Sequence, residues 1–286
     1  MAPSRNEPID ANQVITETSP EGITTIALNR QHRRNAVDGP TAQKLYSAFI
    51  AFEDDATQKV CVFYGMHGNF CAGFDLQEFA KLANRDEQYS GPNIAQRVDG
   101  RNCGPCGPTR LLIRKPVICA VSGYAVAGGL ELSLLGDIRV AEEDAVFGLF
   151  SRRFGVPMID SGSIRLQAVV GLGRALDIVL TGRPVGAQEA LSMGLANRVV
   201  PKGKAFEEAY EIAKALVKFP QGCLNVDRDS CYYAAYNSNS FIDALSHEFD
   251  HGVQIINAES IDGASKFSAG AGRHGSFENK GRKAKL

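Results

Sequence analysis

Two segments of the chain share a plan that dictates most of what it can fold into. Val60-Cys-Val-Phe-Tyr-Gly-Met-His-Gly-Asn-Phe-Cys-Ala-Gly-Phe-Asp-Leu runs from a short apolar strand through glycines into a helix that Asp75 can cap. The second segment runs from a continuous apolar strand, Pro116 to Val121, through Ser122-Gly123 and Ala127-Gly128-Gly129 into a helix carrying Glu131. A helix N-terminus leaves backbone N–H groups without intrahelical partners. Two such ends, each following a buried strand, can aim donors at one anionic or developing-anion site, which is how an oxyanion hole is built. The same spacing also suits glycines that do no more than permit tight turns and close packing.

The rest of the pattern surrounds these turns with alternating strands and helices, which implies an α/β layered core. Val14–Thr18 and Ile23–Leu28 flank a Ser-Pro-Glu-Gly turn and read as a hairpin. Leu45, Ala48, Phe49 and Phe52 recur at helical spacing. A helix is expected over 75–82, a strand over 138–141 and strand pieces near Val146 and Phe147. Helices follow over 163–170, 174–180 and 187–193, with a last strand at 198–200. From Lys204 onward only helices are expected, over 205–219, 223–236 and 241–258, so a boundary is placed near Pro201. The resulting division is a lead over 1–12 without order, a core over 13–201, a helical region over 202–262 and a flexible Gly-, Ser- and Lys-rich tail over 263–286. Asn84 to Pro108, rich in Gly, Pro and charge, has no clear period and reads as a mobile surface segment.

Composition narrows the function classes. With 31 Lys and Arg against 32 Asp and Glu, the net charge is −1, so no basic surface for nucleic acid is expected. No apolar run approaches the roughly 18 to 20 residues of a membrane span, and the chain reads as soluble. The 286 residues can build their own core, and seven cysteines in such a chain indicate reduced thiols and an intracellular home.

Ordered motifs then carry a resemblance. Phe70-Cys-Ala-Gly-Phe-Asp-Leu76 and Lys115-Pro-Val-Ile-Cys-Ala-Val-Ser-Gly-Tyr-Ala-Val-Ala-Gly-Gly-Leu-Glu-Leu132 resemble the two oxyanion segments of the crotonase (enoyl-CoA hydratase/isomerase) superfamily. Asn29-Arg-Gln-His-Arg-Arg-Asn-Ala36 is similar to its CoA-binding loop, with Gln31 where a proline is common. Asp137-Ile-Arg-Val-Ala, Leu180-Thr-Gly-Arg and the stretch from Ala187 to Pro201 match later segments in order, so the similarity covers roughly residues 14 to 260. The resemblance implies a spiral of repeated strand-strand-helix turns followed by a C-terminal helical region that packs trimers, often paired into hexamers. It implies an acyl-CoA substrate, with coenzyme A entering as part of that substrate and no separate cofactor. The oxyanion donors would be the N–H groups of Phe74 and Gly128. The implied CoA- and substrate-binding residues are Arg34, Ala36, Ala72, Asp75, Leu76, Tyr124 and Ser151.

Such an enzyme needs an acid/base group beside C2, C3 or C4 of the acyl chain. Glu131 lies one helical turn after Gly128 and can share its face. Set between Leu130 and Leu132, its carboxyl can be desolvated into a useful titration range, although a glutamate in a first helical turn also suits the helix dipole. Hydratases of the family carry a second glutamate after the Phe-Gly pair, and here that position is Ser151, whose hydroxyl cannot serve as a base at neutral pH. Asp160 is the candidate replacement, and it is equally suited to cap the helix expected from Ser163. Hydration of an enoyl-CoA is therefore the leading expectation, with 3-enoyl to 2-enoyl isomerisation or thioester hydrolysis as alternatives. A non-catalytic RNA-binding role, known in the family, fits poorly with near-zero net charge. Arg152 and Arg153 are expected on the rim of the pocket.

Two motifs point elsewhere. Cys103-Gly-Pro-Cys106 has the dithiol spacing of thioredoxin-like proteins, but Gly107-Pro108 follows where a helix should begin. His247-Glu-Phe-Asp-His251 fits a helical zinc pattern without an evident third ligand, and no metal is expected. The terminal Ala284-Lys285-Leu286 is a close variant of the peroxisomal tripeptide. Peroxisomal location is expected in a eukaryote and cytoplasmic location otherwise.

Overall fold

A computed structural model describes residues 12–81 and 96–272. Residues 1–11 of the expected lead, 84–95 of the unpatterned segment, and 273–286 with the terminal tripeptide lie outside them. The main sheet begins as the expected hairpin, β1 (Val14–Thr18) antiparallel to β2 (Ile23–Leu28). After α1 (Gly39–Asp54), β3 (Val60–Gly65) adds parallel to β2. Beyond α2 (Leu76–Lys81), β4 (Val117–Val121) adds parallel to β3. The chain then makes β5 (Tyr124–Val126), α3 (Gly128–Ser133) and β6 (Ile138–Glu142), the last parallel to β4. β7 (Val146–Gly148), α4 (Gly162–Val170), α5 (Leu172–Thr181), β8 (Val185–Gly186) and α6 (Ala187–Ser192) lead to β9 (Arg198–Val200), which closes the order β1-β2-β3-β4-β6-β9. A smaller sheet holds β5, β7 and β8.

The central strands β3 and β4 read as nearly unbroken apolar runs because both of their faces are covered. Cys61, Phe63, Val117, Cys119, Val121 and Ala141 face one core together with Leu45 and Phe49 of α1 and Leu130 of α3. The alternate residues Val60, Val62, Ile118, Ala120 and Val140 face α7 (Ala205–Leu216) through Ala205, Ala209, Ile212 and Ala213. Three alanines on that face allow the helix close to the sheet. This corrects the boundary expected near Pro201: α7 belongs to the core, and the chain divides into two compact units after Lys218. Its apolar residues, among them Ile212, cover sheet rather than waiting for another surface.

The second unit contains α8 (Gln221–Tyr236) packed on α9 (Phe241–Ile255), a π-helical turn (Ile256–Ser260) and α10 (Ile261–Ser268). The flexible tail expected from Gly263 is corrected in part, since α10 carries it to Ser268. Ile261, Ala264 and Phe267 recur at helical spacing, and Asp262 pairs with Lys266 one turn on at 2.5 Å, which outweighs the Gly and Ser content. In α9, His247 Nε2 meets Asp229 Oδ2 at 2.9 Å, and His251 Nδ1 bonds the His247 carbonyl at 2.8 Å. Both rings of the zinc-like pattern are thus held by protein groups. Among the described residues, no helix is long and apolar enough to cross a membrane, and no group of three metal-ligating side chains occurs.

Candidate active site

The two glycine turns meet. Leaving β3, the chain passes Phe70 and Cys71, whose N–H groups donate to Ser122 O at 2.7 Å and Tyr124 O at 2.8 Å. The first turn is thereby stitched to the second. Val37 N donates to Gly73 O, and Asp75 N donates to Val37 O, both at 2.8 Å, which fixes the peptides on either side of Phe74. Gly73 sits at φ +98°, a conformation that side chains resist. Ala127, which precedes α3, is held at φ 53° although it carries a Cβ, a strain of the kind found at functional sites. Gly128 has no room for a side chain: a Cβ there would lie 2.5 Å from Cys106 Sγ and 3.3 Å from Phe74 N. Likewise a Cβ on Gly73 would lie 3.0 Å from Gly128 N. The backbones of Phe74 and Gly128 thus converge on one corner, and both residues line one cavity.

That cavity, of about 240 Å³, also exposes Ala72, Leu76, Glu131, Ser151 and Asp160. Glu131 lies in the first turn of α3, but its carboxylate serves another helix. Its Oε1 accepts from Asp160 N at 3.0 Å and Gly162 N at 3.1 Å, taking up donors at the start of α4. Burial, and then the neighbouring Asp160 charge, push its carboxyl up to about 8, against the pull of those two N–H groups. Asp160 does not cap α4. Ser161 is the residue before that helix, and the Asp160 carboxylate turns back to accept from Thr109 Oγ1 and, at 3.2 Å, from Cys106 N. Burial raises its carboxyl as well, with Thr109, Cys106 and Arg110 opposing the rise. Two buried carboxyls on facing segments resist ionising together, so the pair retains a proton through neutral pH.

The other expected residues lie on the segments next to this cavity, Arg34 and Tyr124 exposed and Ala36 and Asp75 buried. Arg34 has left-handed backbone at φ 48°, its carbonyl accepts from Ala72 N at 3.1 Å, and its guanidinium lies 5.7 Å from the centre of the Tyr124 ring. The Ala36 carbonyl accepts from Arg30. The Asp75 side chain turns inward, 3.3 Å from Arg30, and caps α2 by accepting from Gln77 N at 3.1 Å. Arg30 also holds Asp38 at 2.7 Å, and Asp38 caps α1 through Thr41 N at 2.9 Å. The loop over 30–38 is therefore tied to the start of both helices. Arg152 and Arg153 lie outside the cavity: Arg152 donates to Val179 O at 3.0 Å, and Arg153 covers the Phe150 ring.

The enoyl-CoA hydratase/isomerase family profile matches residues 18–261. The chain belongs to this family. Two of its relatives are each 34% identical to the chain. The enoyl-CoA hydratase EchA19 of Mycobacterium tuberculosis aligns over 67% of this chain and 70% of its own length. The carnitinyl-CoA dehydratase of Escherichia coli aligns over 68% and 71%. Among solved structures, an enoyl-CoA hydratase from Mycobacterium tuberculosis superposes with a TM-score of 0.79 at 28% identity, covering 90% of this chain and 96% of that one. This enoyl-CoA hydratase/isomerase family member thus has the crotonase fold expected from its motifs.

Residues that the sequence did not nominate complete the cavity: Pro105, Cys106, Phe150, Phe154, Val156, Pro157 and Ile159. The Phe150–Phe154 stretch is a short 3-10 helix, too short and too tightly wound to show an α-helical apolar spacing. The dithiol motif changes meaning here. Cys103 precedes, and Cys106 lies within, a turn in which Gly104 and Gly107 exchange backbone bonds of 2.7 and 2.9 Å. Burial lifts the Cys103 thiol to about 11 and pushes the Cys106 thiol well above its ordinary value, the opposite of a reactive dithiol.

Proposed function

We propose that this protein hydrates a 2-enoyl-CoA thioester, with Glu131 and Asp160 as the acid/base pair. The observation that carries the reading is that both carboxyls open into the cavity lined by Phe74 and Gly128. The thioester oxygen would lie against the N–H groups of Phe74 and Gly128. Water would lose a proton to the ionised carboxylate of the pair while its oxygen bonds to C3. The C2–C3 π pair moves towards the thioester oxygen, and the resulting enolate collapses as the protonated carboxyl gives its proton to C2. One shared proton suffices, because the pair ends each turnover with the proton it gained from water. Preorganised donors facing such an oxygen are typically worth about 10²- to 10³-fold each in rate. The apolar walls formed by Phe150, Phe154, Val156 and Ile159 favour an uncharged acyl group. The CoA moiety would run along the segments carrying Arg34, Ala36, Ala72, Asp75, Leu76 and Tyr124, chiefly on backbone groups. Incubation with a panel of 2-enoyl-CoA esters in heavy-oxygen water tests the reading. It expects 3-hydroxyacyl products carrying one heavy oxygen, and double-bond migration without uptake would refute it.

Ser151 at the position of the usual second glutamate favours a second reading, isomerisation of 3-enoyl to 2-enoyl esters by Glu131 alone; the same products distinguish it. Assembly as a trimer or hexamer is supported by α9, which exposes Phe241, Ile242, Leu245 and Phe249. Light scattering expects at least three copies, and a 31 kDa particle would refute it. Peroxisomal location in a eukaryotic cell rests on Ala284-Lys285-Leu286, and its deletion is expected to disperse a reporter fused at the N-terminus.

A further inference from the structure

The carboxylate of Asp160 is held from a part of the chain about fifty residues away. Thr109, wholly buried in the short 3-10 turn Pro108–Arg110, donates its hydroxyl to Asp160 Oδ1. Cys106 N, three residues earlier, donates to the same oxygen at 3.2 Å. The clasp is closed from the other side, where Ser161 Oγ donates to the Thr109 carbonyl at 2.7 Å. Gly104 leaves room for the arrangement: a Cβ there would lie 2.6 Å from both Asp160 Oδ1 and Thr109 Oγ1. One carboxylate oxygen is thus committed to two donors. The Cys106 thiol also hydrogen-bonds this carboxylate.

We propose that Thr109 is a positioning residue for the reaction, fixing the rotamer of Asp160 by holding its Oδ1. The proposal rests on the reading of Asp160 as a member of the acid/base pair. A threonine hydroxyl donating to Oδ1 favours the ionised carboxylate, so Thr109 also keeps the lower apparent pKa of the pair from rising. The groups that face Asp160 from its surroundings are Glu131 on α3, Arg110, and the thiols of Cys103 and Cys106. None of these changes when Thr109 is replaced by valine, which has nearly the same shape and no donor.

The test is the pH–rate profile of enoyl-CoA hydration for the wild type and for Thr109→Val, Thr109→Ser and Asp160→Asn. In Thr109→Val the acid limb should move up by about one pH unit, the scale of one hydrogen bond to a charged group, with KM changed less than about twofold. Thr109→Ser keeps the hydroxyl and should keep the wild-type limb even if the valine protein fails to fold. A valine limb that superposes on the wild type, or a serine limb displaced in the manner expected for valine, overturns the proposal. Asp160→Asn separates the two claims. Full activity there removes Asp160 from the acid/base pair, whereas an impaired asparagine variant beside an unmoved valine limb leaves the pair standing and refutes only the role of Thr109.

Discussion

Replacing Glu131 with glutamine should make the protein more stable at neutral pH, even as it removes a proton carrier. The reason lies in the linkage between titration and folding. In the folded protein Glu131 titrates near 8 instead of its ordinary 4.5, because it is buried beside Asp160. Between those two values the folded state keeps a proton that the unfolded state releases. The stabilising contribution is therefore complete below pH 4.5 and is lost as pH rises towards 8. By pH 7 the loss amounts to about 3 kcal/mol, at about 1.4 kcal/mol per pH unit. Glutamine does not titrate, and its side-chain oxygen can still accept from Asp160 N and Gly162 N as Glu131 Oε1 does. Calorimetric or fluorescence melts from pH 5 to 8 should show a gap that opens with pH and reaches about 6 to 12 °C at pH 7. A gap independent of pH, or a variant less stable than the wild type at pH 7, would refute the reasoning.

Two further changes probe the supports of the site. Gly162→Ala places a Cβ against Met158 and the Glu131 side chain, 2.7 Å from Oε1, so it should displace the Glu131 carboxyl and cost about 1 to 3 kcal/mol by overpacking; a chemical-denaturation midpoint and kcat equal to wild type would contradict this. Arg30→Gln leaves the buried Asp38 and Asp75 carboxylates without their shared guanidinium, 2.7 and 3.3 Å away. It should destabilise the fold by about 3 to 5 kcal/mol in urea titrations, and a loss below about 1 kcal/mol would show that the network is dispensable.

The order of elements was legible because local pattern carries it. Alternating strands and helices, and apolar runs such as Val117–Val121, need only neighbouring residues to announce themselves. Assignments failed where partners lie far away in sequence. β5 has three residues, too few for a period, and exists because Ala125 pairs with Phe147 and bridges Cys71. α7 looked like part of a separate helical region until its alanine face met strands β3, β4 and β6. In the site, Gly128 and Glu131 share one short helix, so their association could be read from spacing. Thr109 and Cys106 reach Asp160 across more than fifty positions, and no local pattern announces such a contact. The Asp160 side chain had two equally good local readings. Glu131, not Asp160, takes up the N–H groups at the start of α4, which leaves Asp160 to the cavity.

Asp160→Asn tests the central claim most directly, because it removes one ionisable group and preserves the shape of the side chain. Initial hydration rates on a saturating 2-enoyl-CoA ester, with Glu131 intact, should fall by about 10²- to 10⁴-fold, the range for loss of a positioned acid/base group. Binding of the CoA product, measured by calorimetry, should change little, since the CoA-binding segments do not include Asp160. Hydration at the wild-type rate in this variant would contradict the account, leaving Glu131 as the sole proton carrier.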